Sequence, residues 1–415
     1  MTEAARGIFG VFAFMLLAWL LGRDRRAVNW RFVLAGLGLQ LGLALLLLKV
    51  PGVSDALFAV NRLVGVLEEV TAKSAGFMFG YLSGGKPPFE VVDQSANFIV
   101  AFRVLPLVLV VSALSSVLFY LGALPWIIRQ FARLLRRSFG VSGALGFGAA
   151  ASVFMGIIET PILVRPYLAA MGRAELFTLI TCAMATVSGT VMVLYASVVG
   201  PYIPGAMGHI LAASVISVPA ALLCAHLMDP AKPAASHDPD HFKVPSQGSN
   251  IADALMRGTS DGARMCVNIA ASIIVMFAMV HLVNKGLNII PGLSGVTLQG
   301  LLGGLMRPLV WLAGVPWAES AAAGELMGVK TILNEFVAYL QFAQAGGAGL
   351  SPRSSLIMMY AMCGFANLGS LGIVVGGLAS VLPDRTEELF VSCGRALIAG
   401  TLATLMTGAF IGILY

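Results

Sequence analysis

The chain has 415 residues, 58% hydrophobic and only 11% charged, with a mean hydropathy of +0.89. A soluble domain carries about a quarter charged residues, so this composition excludes one and requires much of the surface to face lipid. The net charge of +6 is the mark of cytoplasmic loops in a membrane protein rather than of a nucleic-acid partner, and no alternating pattern of a membrane barrel is present.

A spanning helix needs ~20 apolar residues. The first apolar run, about 7–22, is followed by Arg23, Asp24, Arg25 and Arg26. That basic stop, in place of a small-residue cleavage site, predicts a retained span with its N-terminus outside. A second span covers about 32–50. Residues 52–95 mix apolar residues with Asp55, Arg62, Glu68, Glu69, Lys73, Lys86, Glu90 and Asp93. They read as an amphipathic helix on the outer surface and then a loop. A third span runs about 97–122. In 126–139, Arg129, Arg133, Arg136 and Arg137 are expected on one helical face and Ile127, Phe131, Leu134 and Leu135 on the other, an interfacial helix at the cytoplasmic headgroups.

The run 142–168 holds Gly156-Ile157-Ile158-Glu159-Thr160-Pro161 at its centre. A Gly, an acid and a Pro there predict two half-helices that enter and leave on the same side. Spans follow at about 174–198 and 206–228. The segment 229–250, with Pro230, Lys232, Pro233, His237, Asp238, Asp240, His241 and Lys243, reads as a solvated cytoplasmic loop rather than a metal site. Another span occupies about 265–290. The organisation then repeats: an amphipathic stretch at 294–313, an interrupted run at about 318–344, a Gly-rich turn, an apolar run at about 354–380 and a last span at about 388–414. Cys182, Cys224, Cys266, Cys363 and Cys393 all lie in or beside apolar runs without a CxxC pair, which argues against disulfides or a metal site.

Charged residues deep in apolar runs are Arg103, Glu159, Glu325, Lys330, Glu335 and Arg395. Each is either an ion pair between helices or functional. Glu159 and Glu335 favour function because their surroundings match: Gly189 follows Glu159 by 30 residues, and Gly369 follows Glu335 by 34. Three crossings separate the units, so the second hairpin enters from outside. Paired interrupted segments in inverted halves point to a transporter site at the membrane midplane. The expected fold is all-α, with about eight transmembrane helices, two opposed re-entrant hairpins and interfacial helices. It divides into scaffold spans (1–122), a first unit (123–228), a linker (229–250) and a second unit (251–415).

Gly328-Val329-Lys330-Thr331-Ile332-Leu333-Asn334-Glu335-Phe336-Val337-Ala338-Tyr339 resembles the GxKxxxNEFVAY signature of concentrative nucleoside transporters. Cys363-Gly364-Phe365-Ala366-Asn367 with Ser370 is similar to that family's broken-helix motif. The resemblance covers nearly the whole chain. It implies a cation-coupled symporter in a bacterial inner membrane, a homotrimer, and ribose hydroxyls held by Glu335, Asn367 and Ser370 with Phe365 beside the ligand. Asn334 either joins these contacts or orients Glu335. A carboxylate and an amide satisfy vicinal hydroxyls and reject solutes lacking them.

Many relatives read Gly-Gln-Thr-Glu-Ala-Pro in the first hairpin, where Gln and Thr contact the base. Here Ile157 and Ile158 replace that pair while Glu159 is kept, so an altered base preference is expected. The sodium site of relatives maps to Ser152, Met155, Thr186 and Val187, with Ser152 in place of an Asn. Sodium and protons both remain open as the coupling ion. No catalytic motif supports an enzyme: His209, His226 and His281 lie singly near span ends. Nothing demands the residue rings of a channel. A symporter for a free base or polyol on the same scaffold is the alternative.

Overall fold

The computed structural model describes residues 3–91, 98–230, 249–347 and 349–415, and the regular structure there is helical. Asp93 and most of the 229–250 segment, with Lys232, Pro233, His237, Asp238, Asp240, His241 and Lys243, lie outside the described residues. Among the described residues, six helical stretches are long and apolar enough to cross a membrane, and Ala5–Leu20 and Leu368–Ala379 are shorter apolar helices.

Helices α1 (Glu3–Leu20) and α2 (Trp30–Lys49) come first, α2 starting where the Asn29 side chain accepts from the Arg31 amide. Helix α3 (Val53–Phe79) is the amphipathic one, leaving Leu63, Val66 and Val70 exposed. Next come α4 (Val100–Arg103) and α5 (Leu105–Tyr120), one apolar run that bends just ahead of Pro106.

Helix α6 (Ala123–Phe139) follows, with a different inner face from the one expected. Ile128, Ala132, Leu135 and Phe139 are buried, whereas Ile127 and Leu134 are exposed. The protein buries one apolar stripe and leaves the neighbouring apolar positions exposed.

The first interrupted run is α7 (Gly143–Ala151), α8 (Glu159–Leu163) and α9 (Arg165–Leu168), and the next span is split into α10 (Arg173–Ala185) and α11 (Gly189–Val199). Helix α12 (Ala206–Met228) closes the first unit. Helix α13 (Ile251–Ile289) is 39 residues long, well beyond the expected 265–290. Asn250 caps it, and the Asp253–Arg257 pair continues the first turns in polar surroundings. The second unit has α14 (Leu298–Leu312), the interrupted pair α15 (Ser320–Ile332) and α16 (Glu335–Gln344), the split span α17 (Pro352–Met362) and α18 (Leu368–Ala379), and α19 (Thr386–Leu414).

Polar contacts identify the two ends of the bundle. At one end Arg173, opening α10, meets Asp229 just past α12 at 3.3 Å. The Arg23 amide there donates to the Met228 carbonyl at 3.0 Å. At the other end Arg353, opening α17, donates to the carbonyls of Gly314 and Gly412 near the end of α19, and Arg6 reaches the Val315 carbonyl at 3.4 Å. Helix α1 runs from the second end to the first. The spans α10 and α17 therefore start at opposite ends, and α12 and α19 finish at opposite ends.

Three of the charges in apolar runs are not fully enclosed by the protein. Glu325 is exposed. Arg395 reaches the end of the bundle, where it donates to the Met228 carbonyl at 2.8 Å, replacing a partner that the last turn of α12 lacks. Arg103 lies half-buried beside the Phe98 ring, 5.6 Å from its centroid.

Candidate functional site

Four interruptions meet in the interior. In the first hairpin, residues 152–158 leave the helix between α7 and α8. The Glu159 carboxylate folds back over Gly156, so close that a Cβ there would lie 2.2 Å from its Oε2 and push the carboxylate aside. In the second hairpin the break is short. The Asn334 side chain caps α16 by accepting from the Val337 amide at 2.9 Å. This places Glu335 at the first position of α16, where the exposed amides favour a negative charge.

The two split spans cross at their breaks. The Phe365 amide donates to the Thr186 carbonyl at 3.2 Å. A Cβ on Gly364 would sit 3.0 Å from the Met184 carbonyl oxygen and 3.1 Å from the Ala185 carbonyl carbon, so only glycine allows this approach. Irregular backbone at such depth survives because protein surrounds it and its polar groups find partners.

A cavity of about 930 Å³ opens beside these breaks. Ile157, Ile158, Glu159, Asn334, Glu335, Phe365, Asn367 and Ser370 all line it. The eight residues expected to contact the solute thus share one space. Within it, Glu335 is 3% exposed. Its Oε1 accepts from the Tyr195 hydroxyl at 2.5 Å and its Oε2 from the Asn367 amide at 2.9 Å. The Asn367 carbonyl oxygen is spent on the Ser370 amide, 2.7 Å away, as the cap of α18. One side chain therefore sets a helix start and holds the carboxylate.

Of the ion-site positions, Ser152 and Thr186 are brought together: the Thr186 hydroxyl lies 2.8 Å from the Ser152 carbonyl and 3.0 Å from that of Cys182. Met155 lines the cavity, and its carbonyl accepts from Thr160 at 3.5 Å. Val187 is buried in the break of α10 and α11, its amide 3.4 Å from the Ser214 hydroxyl.

Sequence reasoning missed Tyr195. Its only signal is a single phenol in an apolar run just past a break, and a phenol buried in protein takes a partner. It also missed the wall facing the hairpins, which α5 and α13 build with Ser112, Ser116, Asp261, Arg264 and Asn268.

Three family descriptions match the chain: "Na+ dependent nucleoside transporter N-terminus" over residues 9–82, "Nucleoside recognition" over 101–202, and "Na+ dependent nucleoside transporter C-terminus" over 209–412. Solute carrier family 28 member 3 of Mus musculus is 34% identical over 98% of this chain, which spans 58% of that relative's length. The Escherichia coli K12 protein provisionally named nucleoside permease NupX is 32% identical, with 99% of this chain and 100% of that protein covered. A solved structure of CNTnw in an inward-facing substrate-bound state superposes with a TM-score of 0.90, at 32% identity, covering 99% of this chain and 97% of that one.

Proposed function

The chain belongs to the family of Na+-dependent nucleoside transporters, and on that premise we propose that it imports nucleosides across a bacterial inner membrane together with a cation. The observation that carries this reading is the pairing of Glu335 with Asn367 and Tyr195 at the cavity wall. A carboxylate oxygen keeps lone pairs after one such bond, and the Asn amide keeps a second N–H. Vicinal ribose hydroxyls match that set. Ser370 adds a hydroxyl next to it, and Phe365 offers a ring for the base. At the other end Ile157 and Ile158 present no hydrogen-bonding side chain, so the base is held by shape and apolar contact. Base selectivity is then weaker than ribose selectivity, because an apolar pocket rejects isosteres poorly.

Sodium is the proposed coupling ion, held by the Ser152 and Thr186 side chains with the carbonyls of Met155 and Val187. A proton is the second reading, favoured by Glu159 and Glu335 facing one cavity. Cation binding organises the first hairpin against its broken span. The hairpins and broken spans then move together past a scaffold that includes α5 and α13, exposing the cavity to each side in turn. The family resemblance implies a homotrimer.

Uptake of labelled uridine and adenosine into proteoliposomes, under a sodium gradient and then a proton gradient, tests this reading. Accumulation driven by sodium alone supports the Ser152–Thr186 site, and accumulation driven by protons alone replaces it. No uptake of either nucleoside, or competition by a free base lacking ribose, shifts the assignment to a non-nucleoside solute.

A further inference from the structure

Each hairpin is tied to the break of the span that follows it, and the two ties occupy equivalent places. In the first unit the Thr186 hydroxyl donates to the Ser152 carbonyl at 2.8 Å, three residues before Gly189. In the second unit the Lys330 ammonium donates to the Ala366 carbonyl at 2.8 Å, three residues before Gly369. Ser152 precedes Glu159 by seven residues and Lys330 precedes Glu335 by five, so both ties leave the first arm of a hairpin just ahead of its carboxylate. The bond from the Phe365 amide to the Thr186 carbonyl joins the two ties into one chain of contacts.

Lys330 is 0% exposed. An ammonium is costly at that depth and persists only where opposite charge and freed carbonyls receive it. Both are present. Ala366 lies in the break between α17 and α18, directly before Asn367, the cap of α18, where the backbone has left the helix and its carbonyl has no helical partner. Glu335, five residues on in the same hairpin, attracts the ammonium electrostatically without forming an ion pair with it. Freed carbonyls at a half-helix end are also what a transported cation uses in such folds.

We propose that Lys330 is a tethered cation, filling in the second hairpin unit the position that the transported cation takes in the first. This rests on the reading of Ser152 and Thr186 as the coupling-ion site. The second unit is then permanently loaded and keeps Asn367 and Glu335 in register for ribose. The first unit loads and unloads with each cycle. Lys330 is a positioning residue, acting on the solute through Asn367 and Glu335.

The test is chemical rescue of Lys330→Ala with methylammonium, which carries the same head group without the tether. In proteoliposomes the variant is expected to lose uridine uptake about 100-fold, as follows from leaving a buried carboxylate without its counter-charge. Tens-of-millimolar methylammonium is expected to restore uptake at least about tenfold, and tetramethylammonium to do nothing, since it has no N–H to donate. Melting of the purified variant is followed in parallel: methylammonium is expected to raise its melting temperature without altering that of the parent protein. Wild-type uptake by Lys330→Ala, or a variant in which methylammonium restores neither uptake nor melting temperature, overturns the proposal. The melting readout also separates this idea from the transport reading. A parent protein that takes up no nucleoside sinks the latter, while the amine effect on melting still decides the role of Lys330.

Discussion

Glu335 divides its two oxygens between a phenol and an amide, and each partner has a different consequence when removed. Glu335→Gln removes the charge and replaces one acceptor oxygen by a donor: facing Asn367 it meets another N–H, and facing Tyr195 it turns the phenol from donor to acceptor, so a bond to a charged oxygen is lost either way. We expect ribonucleoside uptake to fall about 100-fold or more with the fold intact, since bonds to a charged group are each worth about 1.5–3 kcal/mol. Uridine binding measured calorimetrically, beside a melting curve, checks this; near-normal binding by a folded variant refutes the ribose assignment. Tyr195→Phe removes one neutral donor and spares the charge, so a loss of about tenfold is expected, chiefly in KM. At the base end, Ile157→Gln with Ile158→Thr adds polar groups to the apolar wall. Competition by a panel of purine and pyrimidine nucleosides should then become more selective than in the parent protein, and an unchanged profile argues that the base does not reach this hairpin.

Helix interruptions carry the site, and they were the most legible feature of the sequence. Gly156, Glu159 and Pro161 in one membrane-length run argue against a straight helix, the run around Glu335 reads as interrupted because its surroundings match the first, and the structure breaks at both places. The inner face of α6 was harder to read, because lipid and protein are both apolar solvents and a stripe pattern does not say which one covers a given Leu. The reach of α13 was hidden for the opposite reason: its first turns are polar, so hydropathy ends the span where the cap at Asn250 does not. The contact between the two breaks is a tertiary fact that no local pattern encodes. It predicts that Gly364→Ala is expensive, since the added methyl meets the Met184 carbonyl and Thr404. Overpacking of this kind costs about 1–3 kcal/mol. The expected result is a lower melting temperature together with weaker nucleoside binding, as the Phe365–Thr186 bond is pushed open. A variant that melts lower but binds normally shows that the breaks need not touch for the site to form.

The two units run in opposite directions at the scale of the whole molecule. Arg173 opens α10 beside Asp229 and Arg395, whereas Arg353 opens α17 beside Gly314 and Gly412. Helix α1 touches both ends, so these two clusters lie a full helix length apart. The basic residues Arg23, Arg25 and Arg26 follow α1 at the Asp229 end, and an excess of Lys and Arg marks the cytoplasmic side. The expected orientation therefore has the end of the first interrupted run facing the cytoplasm and the end of the second facing outside. Ala170 and Gln344 are exposed at those two ends. In whole cells, a membrane-impermeant thiol reagent is expected to label Gln344→Cys readily and Ala170→Cys only after the membrane is opened. The native cysteines give little background, because Cys182, Cys224, Cys363 and Cys393 are buried and Cys266 is partly covered. Equal labelling of both positions from outside contradicts the inverted arrangement. Labelling of Ala170→Cys alone reverses the orientation of the protein while keeping the opposition of its halves, and the basic cluster after α1 then lies outside.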